Sequence, residues 1–359
     1  MNDVLSSNRN GPIKVLVVDD SPMMCKAIEK ILVQDDQIEV ADKALSGREA
    51  LKALSSKQFD VCTLDVHMPG MNGLSVLKNI MVKYPIPTLM VSAFTGDGSR
   101  ITFEALRFGA VDFFKKPARN GDREIKEQAD LLIRSLKRAS RVQVKAARYL
   151  RVRPVSGKES VKGETEYRPE ELERVCIIHG STGGYSSVLA IVPFLTGLPK
   201  GAVVISLAVN KENLAAFVDY LKPYSVPCLS MITERIELRP GQVYFIPADY
   251  AAHFDKAGKG WEMSVKERPI ESSKEGAIDL TLLSASESFC DGLLSIFVSG
   301  DSPFGATGAE EVIRNKGKLI VQKPAGCLAP YNPEMMIERF AADSAEPYEL
   351  SRFVNSWMT

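Results

Sequence analysis

The chain has 359 residues, which exceeds the size of a usual single core, so two domains are expected. Lys plus Arg and Asp plus Glu both number 45, so the formal net charge is zero. That balance, with no helix-turn-helix pattern, argues against a nucleic-acid-binding output and gives no overall attraction to anionic lipid.

The N-terminus MNDVLSSNRNG is polar and lacks the apolar core of a signal peptide. No apolar stretch reaches the roughly 20 residues that span a bilayer. The six cysteines are scattered without a C-x-x-C pair, and several lie in apolar runs, which reads as reduced, buried thiols in a cytoplasmic protein.

Residues 1–12 read as a disordered N-terminus. From residue 13, short apolar runs alternate with helical patterns. IKVLVV (13–18), IEVADKA (38–44), FDVCTL (59–64), TLMVS (88–92) and VDFFK (111–115) are the expected strands. Ser21-Pro22 reads as an N-cap with proline at the first helical position, and Met24, Ala27, Ile28, Ile31 and Leu32 follow at helical spacing. Alternating strand and helix predicts an α/β domain: a doubly wound parallel sheet whose site lies beyond the strand C-termini.

Residues 122–150 read as a last amphipathic helix turning basic toward its end. The stretch 136–172 is assigned to that basic end and to a linker, because its polar and charged composition buries too little apolar surface to fold alone. A second α/β pattern occupies 173–345, with strands expected at 175–180, 202–208, 241–247, 294–300 and 318–322. Residues 346–359 are left as a C-terminal tail.

Two groups of residues carry chemistry. Asp19 and Asp20 close the first strand and Asp65 the third, so a parallel sheet brings three carboxylates together. Such a cluster needs a cation, and oxygen ligands suit Mg²⁺. Ser92, ending the fourth strand, offers a hydroxyl donor, and Lys116, after the fifth, a compact positive charge. In the second domain VCIIHGSTGGYSS has the form strand, glycine turn, helix, with Ser181 on the turn. By itself that turn suits a phosphate-binding loop, or one that binds nothing, as well as a nucleophile.

VLVVDDSPMM, LDVHMPGMNG, VSAFT and VDFFKKP resemble, in order and spacing, the receiver domain of two-component response regulators, over roughly residues 13–135. The resemblance implies that Asp65 is the phosphoacceptor. It implies that Asp20, Asp65 and the backbone carbonyl of His67 hold Mg²⁺ with Asp19 in support. Ser92 and Phe113 would be the switch pair, Lys116 the phosphoryl contact, and Pro117 would follow a cis bond. A histidine kinase is the implied partner.

A receiver, a linker and a G-S-T-G-G domain in this order resemble the chemotaxis protein-glutamate methylesterase (CheB-like) family, whose members hydrolyse glutamate methyl esters on chemoreceptors with a Ser-His-Asp triad. The nucleophile position falls on Ser181. The family histidine position falls on Ala208 and the family aspartate on Phe304, while an altered R-P-S-x-D stretch keeps only Asp279. The resemblance therefore implies a degenerate triad, and a domain acting by binding. The alternative is a working methylesterase or glutaminase with His179 and Asp301 in substitute roles, His179 otherwise packing in or plugging the pocket. His253 reads as a surface or loop residue.

Overall fold

The computed structural model describes residues 11–92, 99–116, 122–144, 172–268 and 276–359. The chain divides into two compact units, 1–150 and 151–359. Pro117, the N-terminal ten residues and most of the linker lie outside the described residues.

The first unit alternates β1 (Ile13–Val18), α1 (Pro22–Leu32), β2 (Ile38–Ala44), α2 (Gly47–Ser56), β3 (Val61–Asp65), α3 (Gly73–Lys83), β4 (Thr88–Ser92), α4 (Ser99–Arg107), β5 (Asp112–Lys115) and α5 (Asp122–Ala139). The sheet is parallel throughout, in the order β2-β1-β3-β4-β5. Val15–Val18 and Val61–Leu64 are buried, as central strands covered on both faces require. Ser21 caps α1 by accepting the N–H of Met24 at 3.3 Å, with Pro22 at the first helical position. The expected helix 122–150 stops at Ala139. Ser140 turns its hydroxyl back onto the Lys137 carbonyl at 3.0 Å, and 3₁₀-type bonds at Arg141 and Val142 close the end.

Gly73 opens α3 against the end of β3. A Cβ there would stand 2.1 Å from the Asp65 carbonyl oxygen and 2.9 Å from the Val66 Cα, so only glycine lets this helix start so close to the acidic strand end.

The second unit runs β6 (Arg174–Gly180), α6 (Gly184–Ile191), β7 (Gly201–Leu207), α7 (Lys211–Leu221), β8 (Cys228–Met231), β9 (Arg235–Leu238), β10 (Gln242–Pro247), β11 (Tyr250–Ala257), β12 (Gly260–Glu267), α8 (Ala277–Phe289), β13 (Leu293–Phe297), α9 (Ala306–Arg314), β14 (Lys318–Gln322), α10 (Tyr331–Phe340), β15 (Asp343–Ala345) and α11 (Pro347–Trp357). The main sheet is parallel, ordered β15-β14-β13-β6-β7-β10-β8. The five strands expected from sequence form its middle.

Not anticipated is the antiparallel sheet β11-β12-β9. Its outer edge is covered by α8. Thr281 and Ser284 accept the N–H groups of Ala252 and Phe254, both at 2.9 Å, and Ser288 donates to the Phe254 carbonyl. Hydroxyls spaced along one helix face thus satisfy backbone groups that an edge strand otherwise leaves open. His253 lies on β11, not in a loop, with its side chain exposed.

The segment read as a C-terminal tail is the helix α11. Leu350 and Val354 are fully buried, and α11 packs on α6. Four cysteines are buried, but Cys228 and Cys290 are exposed: the first opens β8 at the sheet edge, the second stands at φ 48° just past α8.

Replacing Gly73 by alanine is expected to lower the stability of the first unit by about 2 kcal/mol, because the methyl forces α3 off the β3 terminus. Urea unfolding of Gly73→Ala checks this; a midpoint equal to that of the parent protein would contradict the close approach.

Candidate functional sites

The first site lies at the C-terminal edge of the five-stranded sheet. One oxygen from each of Asp19, Asp20 and Asp65 lies within 4.8 Å of the others. Asp19 and Asp65 are buried while Asp20 is exposed. The Lys116 ammonium bridges the two buried acids, 2.7 Å from Asp19 Oδ2 and 2.9 Å from Asp65 Oδ2. The Ser21 N–H donates to Asp19 Oδ1 at 3.0 Å and the His67 N–H to Asp65 Oδ1 at 3.2 Å.

Burial raises the Asp65 carboxyl above its ordinary pKa, against the opposing pull of Lys116. Burial also works against the Lys116 ammonium, but its hydrogen bonds to Asp19 and Asp65 prevail and raise its pKa. Three carboxylates face one ammonium, so the cluster has surplus negative charge and hard oxygen donors, with the exposed Asp20 giving access. That donor set fits a small divalent cation that keeps some of its waters.

Ser92 ends β4 half-buried beside β5, and Phe113, on β5, is 37% exposed. The His67 side chain is exposed.

The second site lies at the C-terminal edge of the seven-stranded sheet. Ser181 and Thr182 form the turn between β6 and α6. Gly183 caps α6 at φ +83°, and a Cβ on it would meet Ser299 Oγ at 2.4 Å. The turn is further tied down where Ser299 donates its hydroxyl to the Thr182 carbonyl at 2.7 Å. Ser181 Oγ donates to Asp301 Oδ1 at 3.1 Å and accepts the Asp301 N–H at 2.8 Å; Thr182 Oγ1 donates to the same carboxylate oxygen at 2.9 Å.

The loop bearing Asp301 is held by Asn332. This side chain, 1% exposed, accepts the Ser302 N–H at 2.8 Å and donates to the carbonyls of Ser302 and Phe304. Asn332 stands in the KPAGCLAPYNPEMM stretch, yet nothing in its local pattern marked it as the clamp.

Ser181, Asp301 and Ser302 face a cavity of about 470 Å³. Ala208, Val209, Ala248, Ile278 and Phe304 give it apolar walls, and Asn210, Asp249 and Arg268 add polar groups that sequence reasoning did not single out. Phe304 lies against Gly276, where a Cβ would stand 2.4 Å from its ring. Asp279 does not reach the serine. Its buried carboxylate accepts the N–H groups of Gly276, Gly305 and Gly308 at 2.8–3.1 Å and so joins the starts of α8 and α9.

None of the chain's three imidazoles is hydrogen-bonded to Ser181 among the described residues. His179, the substitute base weighed from sequence, turns Nδ1 to Ser206 Oγ on the neighbouring strand at 3.3 Å and packs edge-on against Phe297. Burial lowers its pKa from 6.5 to about 4, outweighing the pull of Asp279, so the ring is neutral near pH 7. His253 is occupied by Ser284 and Asp255 in the antiparallel sheet. The Ser181 neighbour is thus Asp301, brought there by the loop after β13.

An acid cluster with its lysine on one parallel sheet and a cavity-facing serine turn on another define a two-domain protein of response-regulator type. Residues 15–128 match the response regulator receiver domain and residues 176–353 match CheB methylesterase. The protein-glutamate methylesterase/protein-glutamine glutaminase of Pyrococcus abyssi is 30% identical over 338 residues, covering 94% of this chain and 91% of that one. The protein of the same name from Pyrococcus horikoshii is 31% identical over 339 residues, with 94% and 91% covered. The solved response regulator domain of Thermotoga maritima CheB is 41% identical, covering 37% of this chain and 98% of that one, with a TM-score of 0.34. The chain belongs to the CheB methylesterase family, in its form with an N-terminal receiver domain.

The buried neutral His179 makes stability depend on acid. Its folded pKa is depressed, so its contribution is fully present above pH 6.5 and is lost as pH falls from 6.5 toward 4, by about 3 kcal/mol. Denaturant titrations at pH 7.5 and pH 4.5 check this. The loss between them should be smaller in His179→Phe than in the parent, and equal losses would contradict a buried neutral ring.

Proposed function

We propose that this protein is a phosphorylation-controlled component of chemotaxis-type signalling in the cytoplasm, whose CheB-like domain binds its target instead of hydrolysing it. The observation that carries the second half is the environment of Ser181, whose hydroxyl bonds to Asp301 and, among the described residues, to no imidazole; the sequence resemblance adds that Ala208 and Phe304 fall at the family histidine and aspartate positions. A serine hydroxyl is a weak nucleophile without an adjacent base. Ala208 takes no proton, and Phe304 neither orients nor compensates an imidazolium. With the triad broken, only the residual catalysis of binding and oxyanion contacts is left.

The first half is supported by the acid cluster, the bridging lysine and the receiver match. Asp65 takes a phosphoryl group from a histidine kinase. Asp20, Asp65 and the His67 carbonyl, with Asp19 in support, would hold Mg²⁺, which would offset the negative charge of the acids and of the incoming phosphoryl oxygens. Lys116 is already at the Asp65 carboxylate and stays with the phosphoryl group as its counter-charge. Phosphorylation adds about −1.5 to −2 charges, and Ser92 and Phe113 respond to the new acceptor oxygens. The changed receiver surface then controls docking of the second domain on chemoreceptors.

A second reading is hydrolysis. The Asp301 carboxylate accepts the Ser181 hydrogen directly, and the Pyrococcus relatives are named for methylesterase and glutaminase activity. In it Asp301 acts as the base on a glutamate methyl ester or glutamine side chain.

Two measurements test these readings. With a small-molecule phosphodonor and Mg²⁺, the parent protein becomes labelled and Asp65→Asn does not; equal labelling of both sinks the phosphoacceptor assignment. With methylated chemoreceptors, the parent releases no methanol above background, and the double variant Ala208→His, Phe304→Asp gains release. Methanol release by the parent that Ser181→Ala abolishes decides for hydrolysis.

A further inference from the structure

The loops around the acid cluster of the first unit carry apolar side chains that its core does not enclose. Met23 is 65% exposed, Leu45 41% and Met71 37%. A single exposed apolar residue is ordinary on a protein surface, whereas several at one place mark a contact surface. The parallel sheet brings these three to one edge. Met23 stands in the first turn of α1, three residues past Asp20, and Leu45 directly follows β2. The Asp19 N–H donates to the Ala44 carbonyl at 3.1 Å, so the loop of Leu45 begins beside the acid pair. Met71 lies between β3 and α3. Its Cβ and Sδ both stand 3.3 Å from the place a Cβ on Gly47 would take, two residues past Leu45. Pro22 and Pro69, on the same loops, are also exposed.

The position of the rim narrows what covers it. Asp65 is 2% exposed, and Asp20 beside it opens the cluster to solvent at this edge. A macromolecule that delivers a phosphoryl group here rests on these loops while it does so. A second copy of the chain seated on them would instead close the acceptor off. The charge of the rim then sets the chemistry of the partner. Residues 20–23, 45–47 and 67–72 contain one charged side chain, Asp20. Charged groups pressed onto methionine and leucine lose water and gain no counter-charge, whereas apolar groups gain buried area. Methionine is unbranched and polarizable, so it adapts to the shape that meets it.

We propose that Met23, Leu45 and Met71 form a docking rim for the protein phosphodonor, and that this donor presents its phosphohistidine flanked by apolar side chains. The inference rests on the reading of Asp65 as phosphoacceptor, and it names the surface by which the partner is chosen. Burial of the rim supplies affinity for the donor protein and takes no part in the transfer itself. A small-molecule phosphodonor reaches Asp65 without it.

Phosphotransfer kinetics on the full chain test it, with two donors: phosphoramidate, and the radiolabelled histidine kinases of the source organism. The triple variant Met23→Gln, Leu45→Gln, Met71→Gln adds no charge to the acid cluster. It should raise KM for the protein donor by about ten-fold or more with little change in kcat. Labelling by phosphoramidate should persist in it. Met23→Leu with Met71→Leu, which keeps the rim apolar, should retain the parent KM. An unchanged KM in the triple variant overturns the proposal, as does a parallel fall in labelling by both donors. A parent that labels with phosphoramidate but accepts from no kinase also overturns it. So does a parent that dimerises where the triple variant is monomeric with KM unaltered, which gives the rim to a second copy. A parent that phosphoramidate leaves unlabelled defeats the phosphoacceptor reading itself, and the inference with it.

Discussion

In a parallel sheet every strand runs the same way, so every strand delivers its last residue to the same edge. Both halves of this chain rest on that constraint. In the first unit it gathers Asp19, Asp65 and Lys116 from the ends of β1, β3 and β5, residues separated by up to nearly a hundred positions. In the second it sets the Ser181 turn after β6 beside Ala208 after β7 and the Asp301 loop after β13. The close approaches at Gly73 and Gly183 serve the same end, since each lets a helix begin hard against the residues that the sheet has gathered.

The two edges are electrostatic opposites. The receiver edge concentrates charge: buried acids hold a lysine between them, and the surplus negative charge suits a cation. At the second edge, charge has been withdrawn from the interior. Burial keeps His179 neutral, Asp279 spends its carboxylate on helix starts, and the Phe304 ring lines the cavity wall. Asp301 is the acid left at the serine, and it is held there by backbone and hydroxyl contacts, with Asn332 fixing its loop. A site of this composition favours holding a ligand over moving a proton between imidazole and serine.

Much of this was legible in advance for a simple reason. Central parallel strands are continuous apolar runs, and acids placed directly after such runs are conspicuous. β1 and β2 fall on their expected residues, and Asp65 ends β3. The antiparallel sheet was missed because its strands mix polar and apolar residues and its edge is closed by α8 hydroxyls, a tertiary device with no local signal. Helix α11 was missed for a related reason: Glu346 and Pro347 open it, but what holds it is burial of Leu350 and Val354 under α6.

The sequence by itself determined two α/β units, the acids and lysine of the first, and the serine turn of the second, because strand order and residue type are local properties. Only the tertiary structure decided what surrounds Ser181. His179 stands two residues away along the chain, yet it lies on β6 in register with Ser206 of β7 and is bonded to it, whereas Ser181 lies on the turn beyond the strand, where Asp301, 120 residues distant, accepts its hydrogen. Proximity along a strand does not set side-chain direction. The sheet and its packing do.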